Sequence, residues 1–159
     1  MSLLDKEAVK RAEKALNDFD QSINVIILED SARTAKDAAL SLKCEVGAIV
    51  KSLLFKTEDS FILSLIAGDK KCSLKKLKKI TSKKQVSMAN PEEVKTQTGY
   101  TIGGVSPVGH LKVTEILIDN SLKRFNHLYA AAGHPNCVFK IDFINLQKIT
   151  NGKINKLIE

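Results

Sequence analysis

The fold of this chain is decided by two apolar stretches, Val46-Gly47-Ala48-Ile49-Val50-Lys51-Ser52-Leu53-Leu54-Phe55 and Phe61-Ile62-Leu63-Ser64-Leu65-Ile66. Both are rich in β-branched and aromatic residues, which favour strands. The polar Thr57-Glu58-Asp59 between them is short enough for a hairpin turn. We therefore predict that residues 46–55 and 61–66 pair as antiparallel strands.

Helices and further strands surround this hairpin. Caps and apolar spacing predict helices at residues 2–19 and 34–43, from Ser73, and at 90–99, where a cap, a proline and an acidic first turn coincide. Further strands are expected at residues 25–28, 85–88, 113–118, 128–132 and 138–141. The unbroken apolar run 25–28 suits a strand buried on both faces, and Leu4, Ala8, Ala12, Ala15, Leu16 and Phe19 form the predicted inward stripe of the first helix.

The end of the chain allows two predictions. Asp142 suits the cap of a last helix that Gly152 would stop, but Asn151-Gly152 could equally turn a hairpin. At 159 residues the chain has the length of one domain, and it shows no linker or repeat. The expected fold class is α/β, a single domain over residues 1–159 with one mixed, mostly antiparallel, curved sheet flanked by helices.

The composition is that of an ordinary globular protein, with 43% hydrophobic and 27% charged residues. No apolar run approaches the roughly 18 residues of a membrane span, and residues 1–7 lack the regions of an export signal. Cys44, Cys72 and Cys137 are widely spaced, with no histidine at metal-ligand spacing, which argues against disulfides and a zinc site. We expect a cytoplasmic protein with no metal, no cofactor and no membrane partner.

Positive charge is concentrated in one segment of a chain whose formal net charge is +7. Eight lysines and no acidic residue occupy positions 70–84: Lys70, Lys71, Lys75, Lys76, Lys78, Lys79, Lys83 and Lys84. Like charges at this density repel one another unless a polyanion or counterions offset them. A phosphate-rich partner is one explanation, and a solvated lysine face on a short helix is the other.

One lysine interrupts the apolar face of a predicted strand. Alternation places Lys51 on the same face as Ile49, Leu53 and Phe55. Because desolvating an ammonium group is costly, Lys51 must extend to water, find a carboxylate, or face a cleft that receives an anion. An edge-strand lysine with its head in water fits this window equally well.

The segment Gly103-Gly104-Val105-Ser106-Pro107-Val108-Gly109-His110 has the composition of a shaped loop. We interpret it as a loop held against the protein that presents backbone N–H groups, although a tight structural turn is equally compatible. Ser106 does not fit a hydrolase nucleophile elbow, because Pro107 follows it. His134 lies where a strand of small residues ends, at a rim that a ligand could reach, although a simple loop histidine is the more ordinary interpretation.

Three of these segments occur in the order and spacing of a known family: residues 46–53, Gly103 to Pro107, and Ala130-Ala131-Ala132-Gly133-His134-Pro135. Through them the chain resembles the YbaK/ProX family of trans-acting aminoacyl-tRNA deacylases, whose fold also occurs as the editing insertion of bacterial prolyl-tRNA synthetases. The resemblance covers roughly residues 34–152. It implies a YbaK-like editing fold.

The resemblance also implies roles for particular residues. Lys51 corresponds to the family's essential lysine, and Gly103, Gly104, Val105, Ser106 and Pro107 correspond to its substrate-binding loop, with Ser52, Gly133 and His134 as further substrate-binding residues. The implied reaction is hydrolysis of the ester that joins a wrong amino acid to the terminal adenosine of tRNA, without a metal or a covalent nucleophile. Lys70, Lys71, Lys75, Lys76, Lys78 and Lys79 are assigned to the tRNA acceptor end, and an aminoacyl-tRNA synthetase is a possible second partner.

The expected substrate is a mischarged tRNA(Pro) carrying a small amino acid such as Ala, Ser or Cys. Members specific for cysteinyl-tRNA typically carry a Ser-Gly-rich segment where this chain has Ala132-Gly133-His134-Pro135, so the chain departs from them there. The segment from Gly103 to His110 resembles more closely the branches that remove small aliphatic residues. Two alternatives stay open. One is a non-catalytic tRNA- or synthetase-binding module, and the other is a hydrolase of another small ester that uses Ser106 or His134.

Overall fold

A computed structural model describes residues 2–30 and 34–159 of the chain. Its helices are α1 (Glu7–Phe19), α2 (Ala35–Leu42), α3 (Leu74–Thr81), α4 (Pro91–Thr98) and α5 (Phe143–Thr150). Its strands are β1 (Val25–Ile27), β2 (Val50–Thr57), β3 (Phe61–Ala67), β4 (Val86–Met88), β5 (Glu115–Asp119), β6 (Leu128–His134), β7 (Cys137–Ile141) and β8 (Lys153–Asn155).

The predicted hairpin lies in the middle of the larger of two sheets. β2 and β3 pair antiparallel, with Lys51 opposite Ile66. The strand order of this sheet is β4-β2-β3-β5-β8, and the pairings of β5 with β3 and with β8 are parallel. The α/β class and the mixed, mostly antiparallel arrangement are therefore confirmed.

The strands form two sheets, whereas one was expected. The second sheet has the order β1-β7-β6 and is antiparallel throughout. Outside the named strand pairings of the described residues, an isolated bridge between Ile49 and Tyr129 connects β6 to the start of β2. The pairing of β6 with β7 shifts register between Ala131 and His134, where Gly133 has a φ of 94°. A bulge of this kind bends its strand, and no pairing between β6 and β2 continues past the bridge among the described residues.

The predicted helix signals are confirmed. The side chains of Thr34, Ser73, Asn90 and Asp142 each accept a hydrogen bond from a backbone N–H in the first turn of their helix, and Asn90 forms a complete capping box with Glu93. At the first helix the prediction was less accurate. Ser2 caps a short 3-10 turn, and α1 begins only at Glu7.

Several local predictions were wrong. Residues 46–48 form a 3-10 turn instead of a strand, since Ala48 N–H donates to Glu45 C=O and Ile49 N–H to Val46 C=O within the turn. Gly47 packs on the Phe125 ring so closely that a Cβ atom would be 2.6 Å from it. β1 is an edge strand paired only with β7, so its Ile26 and Ile27 are 36% and 43% exposed instead of buried on both faces.

Two further predictions concern the ends of the chain. α1 buries Val9 together with Ala12 and Leu16, whereas the predicted Leu4 and Phe19 are 36% and 39% exposed. At the other end α5 stops at Asn151, and β8 pairs with β5. The hairpin alternative at residues 151–152 is therefore excluded.

Three apolar clusters hold these layers together in the described residues, and one of them packs Ala38 and Ala39 of α2 on Ile49 and Val138. The other two are the main cores. The larger lies between the two sheets and includes the buried face of α1, and the smaller lies where α3 covers the opposite face of the larger sheet. Among the described residues no helix combines the length and the apolar character that crossing a membrane requires. The two sheets leave a cleft where β2 and β6 diverge, and this cleft is the candidate site.

We predict that Gly133→Ala destabilises the protein by about 1–3 kcal/mol, because alanine is strained at positive φ. A Cβ atom at Gly133 would also lie 2.7 Å from the backbone of Ala8, so α1 would be pushed off β6. Urea unfolding measures the change. Lys140→Ala, at an exposed position on β7, is the control. Equal stabilities of Gly133→Ala and wild type would contradict this account of the bulge.

Candidate active site

A cavity of about 410 Å³ lies in the cleft between the two sheets. One wall is formed by Ile49 and the first residues of β2, up to Leu54, and the other by residues 129–131 of β6. Ile102, Gly103 and Val105 close it from the glycine-rich loop, and Met88 and Pro135 lie at its edge. Sites for small molecules in proteins usually fall in this range of volume and are similarly apolar.

β2 exposes unpaired backbone groups to this cavity. Leu54 C=O accepts a hydrogen bond from Ala89 N–H on the β4 side, and Thr57 N–H donates across the hairpin to Ser60. Backbone groups of successive residues point to alternate sides of a strand, so the N–H and C=O of Ser52 point to the same side as those of Leu54. β4 pairs only with residues 55–57 of β2, so no strand covers Ser52 there.

The Ser52 side chain adds a second polar group. Its hydroxyl is buried and has no hydrogen-bond partner in the part of the chain that the structure describes. A buried hydroxyl without a partner is costly, and such groups are commonly satisfied by a ligand or a bound water. Ser52 is therefore suited to bind a polar group of a substrate.

Lys51 lines the same cavity and is half-buried. Its ammonium group donates a hydrogen bond to the carbonyl of Lys70, and it forms no ion pair with a carboxylate among the described residues. Burial lowers the pKa of Lys51, and the nearby carboxylate of Asp69 acts in the opposite direction. The resulting cation is partly desolvated, beside the cleft, and without an anionic partner of its own.

The glycine-rich loop is held against the protein, as expected. Gly103 has a φ of 93°, and Gly104 N–H donates to Thr101 C=O at 3.0 Å, which closes a tight turn. Gly104 C=O accepts a hydrogen bond from Gly133 N–H, also at 3.0 Å. Gly104 N–H is therefore occupied inside the loop, and the loop contributes Gly103 and Val105 to the cavity lining.

The remaining predicted site residues surround the cavity without lining it. Ser106 is fully buried, and its hydroxyl accepts a hydrogen bond from Val108 N–H. Pro107 lies beside a separate groove with Ile116. Gly104 packs on the backbone of His134, so close that a Cβ atom would be 2.9 Å from the His134 Cα.

His134 is half-buried at the end of β6. Its Nδ1 accepts a hydrogen bond from Asn136 N–H at 3.0 Å, which closes the β6–β7 turn. Burial, and secondarily the charge of Lys6, lower the pKa of His134. Its environment therefore favours a neutral imidazole that shapes the turn next to the cavity.

The lysines of residues 70–84 include exposed side chains and side chains that contact other parts of the protein. Lys71, Lys75, Lys78 and Lys79 have exposed side chains, whereas Lys70 is half-buried and its carbonyl accepts the hydrogen bond from Lys51. Lys76 donates to the carbonyl of Ile158, and Lys83 pairs with Asp59 at 2.7 Å. The exposed lysines extend from the Lys51 end of the cavity onto α3.

Sequence reasoning missed several residues of the cavity wall. Met88 and Ile102 stand at its rim with exposed fractions of 57% and 59%, and Tyr129 and Pro135 line it from the second sheet. Ile102 could have been predicted as a lining residue, because it immediately precedes Gly103 and Gly104. The others depend on how the two sheets meet. The described residues contain no group of three or more His, Cys, Asp or Glu side chains that could hold a metal ion.

The cleft therefore has a lysine on one wall and a glycine turn on the other. The profile of the aminoacyl-tRNA editing domain matches residues 29–149, so the chain belongs to that family. The family assignment and the predicted fold are thereby confirmed, and the chain is a hydrolase of the aminoacyl-tRNA deacylase class.

Relatives are found both as separate proteins and within larger ones. The uncharacterized protein YwhH of Bacillus subtilis is 32% identical over 148 residues, which are 92% of this chain and 94% of YwhH. The proline–tRNA ligase of Thermosipho melanesiensis is 30% identical over 119 residues, or 75% of this chain and 21% of the ligase. A crystal structure described as a candidate trans-editing enzyme for prolyl-tRNA synthetase is 34% identical with a TM-score of 0.92, over 97% of this chain and 98% of the other.

The environment of Lys51 yields a prediction about its titration. We expect the pKa of Lys51 to lie below the ordinary value for lysine, because burial disfavours the charged form. Asp69→Asn removes a carboxylate that favours the charged form and should lower the pKa further. Carbon-13 NMR of lysine side chains measures both. Asp59→Asn, which breaks the pair with Lys83, should leave Lys51 unchanged. A rise in the Lys51 pKa in Asp69→Asn would contradict this electrostatic account.

Proposed function

We propose that the protein hydrolyses the ester of mischarged tRNA(Pro) that carries a small amino acid such as Ala, Ser or Cys. The observation that carries the proposal is the cleft itself, which brings Lys51 and Ser52 on β2 opposite Gly103 on the loop. Gly103 is distant from Lys51 and Ser52 in the sequence, and the proposed reaction uses all three at one place. The cavity is large enough for an aminoacyl group and part of the ribose that carries it.

The charges around the cleft suit an anionic ligand. No carboxylate is among the described residues that line the cavity, and Lys51 is the cation among them. Lys51 could bind the terminal phosphate of tRNA or the oxygen of the reacting ester. Because its ammonium group is already partly buried, it loses little hydration when it binds either one. Lys51 thus serves either to hold the phosphate or to polarise the ester.

Hydrolysis of the ester places negative charge on its carbonyl oxygen. Donors fixed in position before the reaction stabilise such charge without reorganisation. The N–H of Ser52 points to the open side of β2, and the loop supplies Gly103 at the opposite wall. Gly104 N–H is engaged with Thr101, so it serves the shape of the loop. The nucleophile is water, directly or assisted by the 2′-hydroxyl of the terminal adenosine.

The burial of Ser106 favours this mechanism over the alternative of a serine hydrolase. Ser106 has no exposed surface and lies outside the cavity lining. A nucleophile must reach the carbon it attacks. His134 uses Nδ1 in the β6–β7 turn, so its Nε2 is the atom left for an interaction with substrate.

Selection by size is the proposed basis of specificity. The inner walls of the cavity are buried side chains of Leu54, Val94 and Val105 that belong to the main core. Close-packed walls do not yield readily to a larger group. A synthetase rejects smaller amino acids only modestly, and a second site that admits them corrects the error.

The relatives support a role beside prolyl-tRNA synthetase. Proline–tRNA ligases contain a region similar to this chain, and the candidate trans-editing enzyme is described as acting for prolyl-tRNA synthetase. We propose tRNA(Pro) as the tRNA and the synthetase as an occasional partner. The place of action is the cytoplasm, where tRNA is charged.

The exposed lysines of the basic segment are proposed to contact the acceptor stem of the tRNA. The hydrogen bond from Lys51 to the Lys70 carbonyl connects this segment directly to the cavity. A tRNA whose phosphates lie along Lys75, Lys78 and Lys79 would therefore have its end near Lys51. Such electrostatic binding is independent of nucleotide sequence and weakens with salt.

We expect the wild-type protein to deacylate tRNA(Pro) charged with Ala, Ser or Cys and to spare prolyl-tRNA(Pro). Lys51→Ala should lower the single-turnover rate by about 100-fold or more, because it removes a charge that acts on the transition state. Release of labelled amino acid from each tRNA measures both effects.

Lys56→Ala is the matched control for Lys51→Ala, because Lys56 is an exposed lysine of the same strand that pairs with Glu93. Its rate should remain within a factor of about two of wild type, as is usual for a surface pair. Wild-type rates in Lys51→Ala would refute the role of Lys51. Absence of deacylation by the wild-type protein across the panel would refute the proposed substrate class.

A second prediction concerns the basic segment. In a triple variant, Lys75, Lys78 and Lys79 are each replaced by Gln, and this variant should bind tRNA more weakly. The slope of log K against log salt concentration should fall in magnitude by about 1 for each lysine that neutralises a phosphate. Fluorescence anisotropy with uncharged tRNA(Pro) at several salt concentrations measures the slope. Replacing the exposed Lys14, Lys148 and Lys153 gives a control of equal charge. Equal slopes in the two triple variants would assign the binding surface elsewhere.

A further inference from the structure

The loop that closes the cavity is supported from behind by a residue of α1. Arg11 donates from Nε to the carbonyl of Gly109 at 2.7 Å and from Nη2 to the carbonyl of Thr98 at 3.4 Å. These two carbonyls lie at the two ends of the segment that contains the loop. One guanidinium group therefore joins the beginning and the end of residues 98–109.

Tyr100 completes this support. The guanidinium carbon of Arg11 lies 4.7 Å from the centre of the Tyr100 ring, which is fully buried. The Tyr100 hydroxyl donates to the carbonyl of Val108 at 2.7 Å. Burial raises the pKa of Tyr100 to about 12, so the hydroxyl remains a donor at neutral pH. Backbone hydrogen bonds from Leu111 and Lys112 to Thr98 and Gln97 close the same base.

The contacts of Arg11 require the planar, multiply donating guanidinium group of arginine. Arg11 forms no ion pair among the described residues, and its partners there are two carbonyls and an aromatic face. A planar guanidinium can donate in two directions while it stacks on a ring, whereas a lysine ammonium at the end of a flexible chain cannot hold that geometry. A charge kept half-buried without a carboxylate indicates a specific geometric role.

The supported segment leads directly to the cavity. Ile102 and Gly103 line the cavity at one end of the loop, and Gly104 is tied to β6 by Gly133. α1 also backs Gly133, where the main chains of α1 and β6 touch at Ala8. The position of the cavity wall formed by the loop is thus set by α1, which precedes the residues 29–149 that match the family profile.

We infer that Arg11 is a positioning residue for deacylation: it fixes the base of the loop at residues 98–109, so that Ile102 and Gly103 hold their place opposite Lys51. This inference rests on the proposed function for its catalytic consequence, and on geometry alone for its effect on the loop. Misplacement of a site element by about 1 Å can cost as much as 100-fold in rate.

The test compares Arg11→Lys and Arg11→Met with Lys10→Met, which removes an exposed charge from the adjacent position of α1. Hydrogen exchange of the amides in residues 99–110 should accelerate at least about 10-fold in both Arg11 variants, while the β2–β3 amides keep their protection. With mischarged tRNA(Pro), the single-turnover rate should fall about 10-fold or more, and the enzyme concentration at half-saturation should stay the same. Lys10→Met should match wild type in all measurements.

Arg11→Lys retains the charge and loses the planar fork, so its loop exchange should be as fast as that of Arg11→Met. Wild-type loop exchange in Arg11→Lys alone would overturn the geometric role and assign the effect to charge. Wild-type exchange in the loop of Arg11→Lys and Arg11→Met would overturn the inference, and so would a uniform increase of exchange over the whole protein, which indicates a general stabilising role. If Arg11→Met does not fold, Arg11→Lys and Tyr100→Phe carry the same exchange measurement. If the Arg11 variants show faster loop exchange but the wild-type protein does not deacylate the mischarged tRNA, the proposed function is refuted and the role of Arg11 in the loop is supported.

Discussion

The site depends on the separation of β2 from β6 immediately after they touch. The two strands meet at Ile49 and Tyr129, their pairing does not continue past this bridge in the described residues, and a bulge near Gly133 bends β6 further on. If the pairing had continued, backbone hydrogen bonds would fill the place of the cavity, and the polar groups of Ser52 would be used within a sheet. Because the strands diverge, β2 keeps an open edge in an apolar setting, and Lys51 lies beside that edge with only a carbonyl as its partner. The cleft, the unpaired polar groups and the partly desolvated cation therefore have one structural cause.

The support of the cleft is distributed over elements that do not line it. Ser106, Pro107 and His134 shape the loop and the β6–β7 turn, and Arg11 and Tyr100 hold the base of the loop. The residues suited to bind a substrate are fewer, namely Lys51, Ser52 and the turn at Gly103. Within the segment from Gly103 to Pro107, Gly103 and Val105 line the cavity and the other residues do not, and the residue names alone do not distinguish the two groups.

Much of the fold could be predicted from local signals. The hairpin of β2 and β3 follows from its apolar strands and short polar turn, and the helix starts at Thr34, Ser73, Asn90 and Asp142 follow from caps, since both effects act within a few residues. The errors occurred where distant parts of the chain decide the outcome. The exposure of β1 depends on its place at a sheet edge, and the 3-10 turn at residues 46–48 packs its Gly47 on the Phe125 ring, which is distant in sequence. The site was predictable at Lys51 and Gly103 from a cation in an apolar strand and a glycine turn, whereas Tyr129 and Met88 became visible only when the two sheets were placed together.

The hydrogen bond from Arg11 to Gly109 joins residues 98 positions apart, whereas the β2–β3 hairpin pairs neighbours in sequence. Local pairings form early in folding, and interactions between distant segments require a larger loop-closure entropy and form late. The β2–β3 hairpin can therefore form before the loop acquires its final shape. By the same reasoning, partial opening that detaches α1 would release the loop while the hairpin remains intact. Under mild heat or denaturant, catalytic competence should disappear before the secondary structure melts.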